Sequence, residues 1–462
     1  MKGIKNILFS LKEQKPTKLS VGGLLEKYGV FELGQQPHQQ PFFIIRKKST
    51  PLQFASETND NSFTYRPYQK VPWMMPREPL DYESVEKLWQ EVKECIHDHV
   101  DLADPQAYDV LTAWVFASWT LEKWSIAPYL FFFGSFNTGK TRALEVLSKL
   151  CSRGWLALYI TPANLYRPLE EWKPTLFLDE AETYGDKHDI LGLLNGSYRK
   201  GQFVPRQKGT DGDYETEFFD CFAFKAIAGT KDLAKTLRSR CIIFQTSNAT
   251  RKIKFFIDEN RCTQLRNKLL KYRFDKMLED IEELEDVLKR CEALVDVIGN
   301  QREVELFYPL ISVVPTKEIE KKLIEYAKTS SSRKLDELSL TTESTALSAI
   351  FAAKERGLMK NGKLLISEIT AIANENLSFD EQWKERQTST LCSRLGFQKA
   401  RGTQGKAVIV WSQPLIDRLR TDQRYALCFN TPLPELSSKS SKSSNEQPIN
   451  PDYFNTAKDV SQ

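Results

Sequence analysis

Between residues 82 and 124 apolar side chains recur every three to four positions. Val85, Leu88, Trp89, Val92 and Ile96 mark one face of a helix over 82–100, and the more apolar run 108–124 predicts a second, buried helix. From Tyr129 to about Ser247 the period changes. Apolar runs at 130–134, 175–179, 222–229 and 241–245 have strand length and alternate with helical stretches. That alternation predicts a mainly parallel sheet covered on both faces. Residues 249–335 read as helical and rich in charge. One helix over 275–297 would put Leu278, Ile281, Leu284, Leu288, Cys291 and Val295 on one side. Its other side would be a solvated acidic face of Glu279, Asp280, Glu282, Glu283, Glu285 and Asp286. A break rich in Ser and Lys at 329–334 precedes a compact unit over 343–428. There, helices over 344–356, 366–376 and 381–395 lead into strands at 397–400 and 406–411, joined by Arg401-Gly402-Thr403-Gln404-Gly405. Glycine at both ends of that connection suits a hairpin. Residues 1–80 form an N-terminal module with one readable strand, Phe42-Phe43-Ile44-Ile45, and turn signals at Gly22-Gly23 and Gln39-Gln40-Pro41. The Ser- and Lys-rich end, 431–462, reads as a disordered tail.

The 462 residues suggest roughly three domains. Hydrophobic residues at 41% exclude a wholly disordered chain. A net charge of +4 excludes a global polycation, so any nucleic-acid surface must be a local patch. The longest apolar runs fall short of the roughly 20 residues that span a bilayer, and no membrane partner is expected. Residues 1–12 carry lysines without a sustained apolar core, which does not read as a secretion signal. The eight cysteines show no C-x-x-C pair and sit beside apolar residues, as reduced core positions in a cytoplasm would. His97 and His99 flank one residue, but no third ligand is nearby, so they read as polar positions near a helix end.

Chemistry concentrates in Gly134-Ser135-Phe136-Asn137-Thr138-Gly139-Lys140-Thr141, which fits G-x-x-x-x-G-K-[ST] between an apolar strand and a helix-forming run from Arg142. These nine residues, Gly134 through Arg142, are the candidate nucleotide-binding set. Backbone N–H groups and a helix N-terminus suit phosphate oxygens. Lys140 would reach the β- and γ-phosphates, and the Thr141 hydroxyl would ligate Mg2+. The strand Thr175-Leu176-Phe177-Leu178 ends in Asp179 and Glu180. Two adjacent carboxylates divide the work: Asp179 for the metal, Glu180 for the attacking water. A third strand ending at Thr230 should lie beside these two and help position that water. Arg240, with Arg238 as second choice, precedes the apolar run 241–245. From there it can project into a neighbouring subunit's site and neutralise charge on the transferring phosphoryl group.

With these residues placed, the chain resembles the AAA+ and superfamily 3 helicase group, closest to primase-associated ATPases of phages, plasmids and integrated mobile elements. The resemblance covers residues 80–430. It rests on the loop, Leu176-Phe177-Leu178-Asp179-Glu180-Ala181-Glu182, Leu194-Asn195-Gly196-Ser197-Tyr198-Arg199-Lys200-Gly201, Ala228-Gly229 and Leu237-Arg238-Ser239-Arg240. The last segment is also similar to the arginine-finger segment of minichromosome-maintenance helicases. The resemblance implies an α/β P-loop NTPase core over 129–248 with a parallel sheet. It adds a helical region over 81–128, a helical lid over 249–335 and a C-terminal winged helix. It also implies ATP and Mg2+ as ligands, homo-oligomeric rings, usually hexamers, and Arg302 as a lid arginine that senses nucleotide. No primase motif is visible in the first 80 residues, so priming would belong to a separate primase or polymerase.

Two segments read for DNA. In related rings the stretch 198–209 forms a hairpin pointing into the channel, where Arg199, Lys200, Arg206 and Lys208 would bind single-strand phosphates. Over 383–411 the bases Lys384, Arg386, Arg394, Lys399, Arg401 and Lys406 face one acid, Glu385. A recognition helix with Arg386, Thr388, Ser389 and Arg394, plus a basic wing, suits duplex DNA. The expected function is an ATP-hydrolysing DNA motor, a replicative helicase or origin-opening ATPase of a mobile element. The alternatives are a helicase loader or remodelling ATPase, and a DNA-bound regulator switched by ATP.

Overall fold

A computed structural model describes residues 15–429, apart from 26–28, 49, 159, 162–163, 184–187, 209–214, 280–283, 340–341, 376–381, 403–404, 423–424 and 426–427. The tail expected at 431–462 and the acids Asp280, Glu282 and Glu283 lie outside the described residues. The chain divides into two compact units, one ending at Lys334 and the other beginning at Leu335.

The first unit opens with seven short strands, β1 (Thr17–Ser20), β2 (Gly22–Leu25), β3 (Gly29–Gly34), β4 (Phe42–Lys47), β5 (Gln53–Ala55), β6 (Thr58–Asn59) and β7 (Thr64–Pro67). They form an antiparallel sheet β2-β3-β4-β5 and a small sheet β1-β7-β6. The sequence pattern showed only β4. The others are two to six residues long, too short for a period to stand out. Helices α1 (Val85–His99) and α2 (Gln106–Ser118) follow, within one or two turns of their expected bounds. Ser84 caps α1 by accepting from Lys87 N.

The core then runs β8 (Tyr129–Phe133), α3 (Lys140–Leu150), β9 (Gly154–Ala157), α4 (Tyr166–Trp172), β10 (Thr175–Leu178) and α5 (His188–Gly196). It continues with a hairpin of β11 (Phe203–Lys208) and β12 (Glu215–Asp220), then β13 (Lys225–Gly229), α6 (Lys235–Arg238) and β14 (Cys241–Gln245). Five strands make an all-parallel sheet in the order β14-β8-β13-β10-β9. Its apolar runs are continuous because both faces are covered. Leu130, Phe132, Phe177, Ala226 and Phe244 pack into the core that holds α1, α2 and α3. Tyr129, Phe131, Leu176, Leu178 and Ile227 point the other way, into the core that holds α4 and α5.

Beyond the sheet come α7 (Glu259–Leu278), α8 (Leu284–Ile298), α9 (Gln301–Ile311) and α10 (Lys317–Ser339). The single helix expected over 275–297 is therefore two. Glu279 turns extended, at ψ 151°, where like charges crowd at helical spacing. The break expected at 329–334 lies inside α10. There Ser331 is buried, Ser330 donates to Glu303 Oε2 (3.1 Å), and Lys334 donates to the Cys241 carbonyl (3.1 Å). Tertiary contacts override the weak helix propensity of serine.

The second unit holds α11 (Thr342–Glu355), β15 (Lys363–Leu365), α12 (Ile366–Asn374), α13 (Glu385–Arg394), β16 (Gln398–Arg401), β17 (Ala407–Val410) and α14 (Gln413–Thr421). Its antiparallel sheet is ordered β15-β17-β16. Ile350, Ile369, Leu391, Phe397 and Ile409 form its core. Among the described residues no helix is long and apolar enough to cross a membrane.

Candidate active site

The phosphate loop leaves the C-terminal end of β8, between β14 and β13. Gly134 sits there because any side chain would collide: an added Cβ would lie 2.4 Å from Thr246 Oγ1. Asn137 (φ 62°) and Gly139 (φ 82°) coil the chain through left-handed turns into α3. Thr138 Oγ1 donates to the Ser135 carbonyl (2.8 Å) and meets Thr246 Oγ1 (2.7 Å), fastening the loop to the end of β14. The Lys140 ammonium is nearly buried and donates to the carbonyls of Gly134 (3.0 Å) and Ser135 (2.6 Å).

The register of the parallel sheet brings β10 to this loop. Thr141 Oγ1 donates to Asp179 Oδ2 at 2.6 Å, joining positions 38 residues apart. A hydroxyl and a carboxylate side by side are hard oxygen donors, the set a Mg2+ ion takes with its phosphates and waters. Asp179 Oδ1 accepts from Glu180 N (2.9 Å), which holds Glu180 at φ 54° with its carboxylate exposed. A left-handed glutamate costs about 1–2 kcal/mol. Such strain concentrates at functional sites.

β13 lies between the loop strand and the acid strand, and delivers Thr230 to the same end. Thr230 bonds Glu182 through both N (3.2 Å) and Oγ1 (2.9 Å). Burial pushes the Glu182 carboxyl up, but its own backbone N–H, Thr230 and the Lys140 charge outweigh that and hold it below the ordinary carboxylate range. The sequence reading gave Glu182 no role. Its one signal was a third acid two residues beyond the pair.

The arginines gather elsewhere. Arg240 precedes β14 and so stands at the end of the sheet opposite the loop. Its Nε donates to the Asn195 carbonyl (2.9 Å), Nη1 bonds the Thr236 carbonyl, and the guanidinium lies 4.8 Å from the Tyr198 ring centre. Arg238 pairs with Asp232 (2.8 Å). Arg302 donates to the Ser239 carbonyl (3.0 Å), the Tyr198 hydroxyl (2.9 Å) and Glu305 (2.6 Å). Arg302 therefore sits away from its own chain's phosphate loop.

The hairpin exists, but Arg199 and Lys200 precede it. Arg199 pairs with Glu305 (3.1 Å), and Lys200 donates to the Glu122 carbonyl (3.1 Å). Arg206 is half-buried with its guanidinium 5.4 Å from the Tyr166 ring. The Lys208 side chain lies outside the described residues. Over 203–220 two bases face five acids, Asp211, Asp213, Glu215, Glu217 and Asp220. The outward face shows Phe203 (58% exposed) and Phe218 (64%) beside Pro205.

In the second unit Lys384, Arg386, Lys399, Arg401 and Lys406 are exposed. Arg394 is exposed too and reaches Glu343 at 3.4 Å. Thr388, expected on the outer face of α13, is fully buried and accepts from Thr370 Oγ1 (2.8 Å). That position belongs to the core.

No protein-family model and no curated protein matches the sequence. Among solved structures, the C-terminal region of NrS-1 in its apo form aligns over 83% of this chain and 96% of its own, with 11% identity and a TM-score of 0.36. A full-length MCM homolog from Methanopyrus kandleri aligns over 67% of this chain and 74% of its own, with 14% identity and a TM-score of 0.36.

Proposed function

We propose that the chain is an ATP-hydrolysing DNA motor, a ring-forming helicase or origin-opening ATPase of a mobile element. One observation carries this reading: the Thr141 hydroxyl and Asp179 carboxylate meet at 2.6 Å beside the buried Lys140 ammonium. Bound Mg2+ supplies charge neutralisation for the phosphates. The chain's own residues do the rest. Lys140 holds the phosphate chain, and Glu180 takes a proton from water as its oxygen bonds the γ-phosphorus and the bond to the β-phosphate oxygen breaks. Thr230, fixed by Glu182, orients that water. Arg240 serves the site of a neighbouring copy, a role supported by its place at the far end of the sheet, and Arg238 braces the same turn. The second unit is proposed as a winged helix. Its exposed Arg386, Arg394, Lys399, Arg401 and Lys406 bind duplex phosphates.

The test is direct. Lys140→Ala and Glu180→Gln are each expected to abolish turnover, with ATP binding kept only in the second. Turnover near the unmodified rate in either variant refutes the site. A second reading, a loader or remodeller acting on a protein ring, is favoured by the acidic hairpin with its exposed Phe203 and Phe218. Strand displacement by the purified protein alone selects the motor. Its absence, with ATPase stimulated by a partner helicase, selects the remodeller.

A further inference from the structure

The segment that joins β14 to α7, residues 246–258, begins and ends beside the phosphate loop. At its start Thr246 bonds Thr138 of the loop (2.7 Å). Near its end Arg142, the residue after Thr141, donates through Nη2 to the Phe255 carbonyl (2.8 Å). In between, the backbone is pinned to the end of α1 and the turn beyond it. Asp101 accepts from Thr250 N (2.6 Å) and Arg251 Nε (3.1 Å), and Asp98 pairs with Lys254 (2.7 Å). The Phe256 carbonyl lies 3.1 Å from Nε2 of the buried His99.

This held segment presents two large apolar side chains to water. Phe255 is 74% exposed and Phe256 82%, with ring centres 4.8 Å apart and planes at 85°. A segment tied at this many points has no need of two bare phenylalanines for its own stability. Single exposed apolar residues are ordinary, but an adjacent pair on a fixed backbone at the rim of a binding loop marks a contact surface. The strand order says which side of the loop it occupies. Asp179, Glu180 and Thr230 stand on the β13–β10 flank, where hydrolysis would occur. Phe255 and Phe256 belong to the segment that continues from β14 on the other flank, and Arg142 in the first turn of α3 holds the Phe255 carbonyl. A nucleotide whose terminal phosphate meets the acids carries its nucleoside towards the other flank.

We propose that Phe255 and Phe256 are the seat of the purine base of the nucleotide held by the loop, with Arg142 fixing the seat to the phosphate site. This rests on the nucleotide reading above. An aromatic ring stacks on the π-face of a base, and the edge of its neighbour closes one side. Stacking does not read exocyclic groups, so ATP and GTP are accepted alike and inorganic tripolyphosphate, which has no base, gains nothing from the seat.

The experiment is calorimetric titration of the full chain with Mg-ATP, Mg-GTP and Mg-tripolyphosphate. It compares the unmodified protein, Phe255→Ala with Phe256→Ala, the matching Leu pair, and Lys140→Ala. The Ala pair is expected to weaken both nucleotides at least about tenfold, the scale of one lost stacking contact. It leaves tripolyphosphate affinity and the unfolding temperature unchanged. The Leu pair, apolar but without a π-face, recovers only part of the loss. Nucleotide affinity unchanged in the Ala pair overturns the seat while leaving the phosphate site standing. Equal loss for nucleotide and tripolyphosphate also overturns it, because the segment would then only support the loop. No heat with any ligand in the unmodified protein overturns the nucleotide reading itself.

Discussion

Lys140 and Glu180 serve one candidate site in opposite physical states. Lys140 is nearly buried, with its ammonium on two carbonyl oxygens; Glu180 is exposed on strained backbone. Removing the first removes a fixed positive charge from a confined site, where it has no substitute. Lys140→Ala is therefore expected to lower Mg-ATP affinity beyond detection at millimolar ligand, measured by calorimetry. Removing only the charge of the second leaves its shape and its turn. Glu180→Gln is expected to keep ATP affinity within a few-fold and to lower kcat by about two to four orders of magnitude, the usual worth of a positioned base. Glu182→Ala frees Thr230 without touching Asp179. It is expected to lower kcat less than Glu180→Gln does and leave binding intact, read from the same steady-state assay. Much of this was legible. The loop and the acid pair are contiguous motifs whose spacing carries their geometry. The Glu182–Thr230 contact was not, because it joins residues 48 apart through a strand order that no local period encodes.

An ion network shows what holds the elements together. Glu32 on β3 receives both arms of Arg153 at 2.7 Å, and Arg273 on α7 lies 3.2 Å from the same carboxylate. Arg273 also bonds Glu122 at 2.7 and 2.8 Å. Glu32, Arg153 and Arg273 are all buried, so the N-terminal sheet, the parallel-sheet core and helix α7 share one desolvated cluster. Taking out one partner leaves buried charge uncompensated, which costs about 3–5 kcal/mol. Glu32→Ala is expected to lose that much in urea unfolding, whereas an exposed control such as Glu57→Ala stays within about 0.5 kcal/mol. The network also has a pH signature. Burial pushes the Glu122 carboxyl up, but the Arg273 charge outweighs it and holds the group at about 2 against an ordinary 4.5. A depressed acid binds fewer protons folded than unfolded, so its stabilisation is full above about 4.5 and drains away as pH falls towards 2. Replacing Arg273 by Met is expected to flatten stability across that window, followed by unfolding at fixed urea. None of this was legible. Partners 121 residues apart leave no trace in a window, and the short strands of the N-terminal module hid the element that carries Glu32. The hairpin's two bases, Arg206 and Lys208, lie on its first strand, and its acids follow at 211, 213, 215, 217 and 220. In the second unit the basic residues expected to contact DNA are exposed. Lys399→Glu with Arg401→Glu is expected to weaken duplex binding and to lower the salt slope of log K by about two, on phosphate counting, measured by anisotropy across salt.

For the first unit as a whole, the parallel sheet imposes a direction. Every strand of the five points its C-terminus at the phosphate loop and its N-terminus at Arg240. A unit built this way has the loop Gly134–Thr141 at one end and an arginine at the other. If copies associate head to tail, a heterologous contact repeated around a closed ring, the arginine of each meets the site of the next. The Tyr198 cluster fits such a contact, since Arg199, Arg240 and Arg302 converge on one ring at 5.7, 4.8 and 4.7 Å. Like charges are gathered there by Tyr198, Glu305 and backbone carbonyls. The position of Arg240 before an edge strand was readable from sequence, but the company it keeps was not, because Tyr198 and Arg302 come from the end of α5 and from α9. The decisive experiment mixes two variants that are each expected to be inactive. Lys140→Ala keeps Arg240 and loses the site; Arg240→Ala keeps the site and loses the arginine. If the arginine acts across a contact, an equal mixture places an intact site beside an intact Arg240 at about a quarter of its interfaces. ATPase should then rise well above the sum of the two variants and fall again on dilution below the assembly concentration. If Arg240 serves only its own chain by holding Tyr198, Asn195 and Thr236, mixing restores nothing, and the shared site is refuted while the phosphate loop is not.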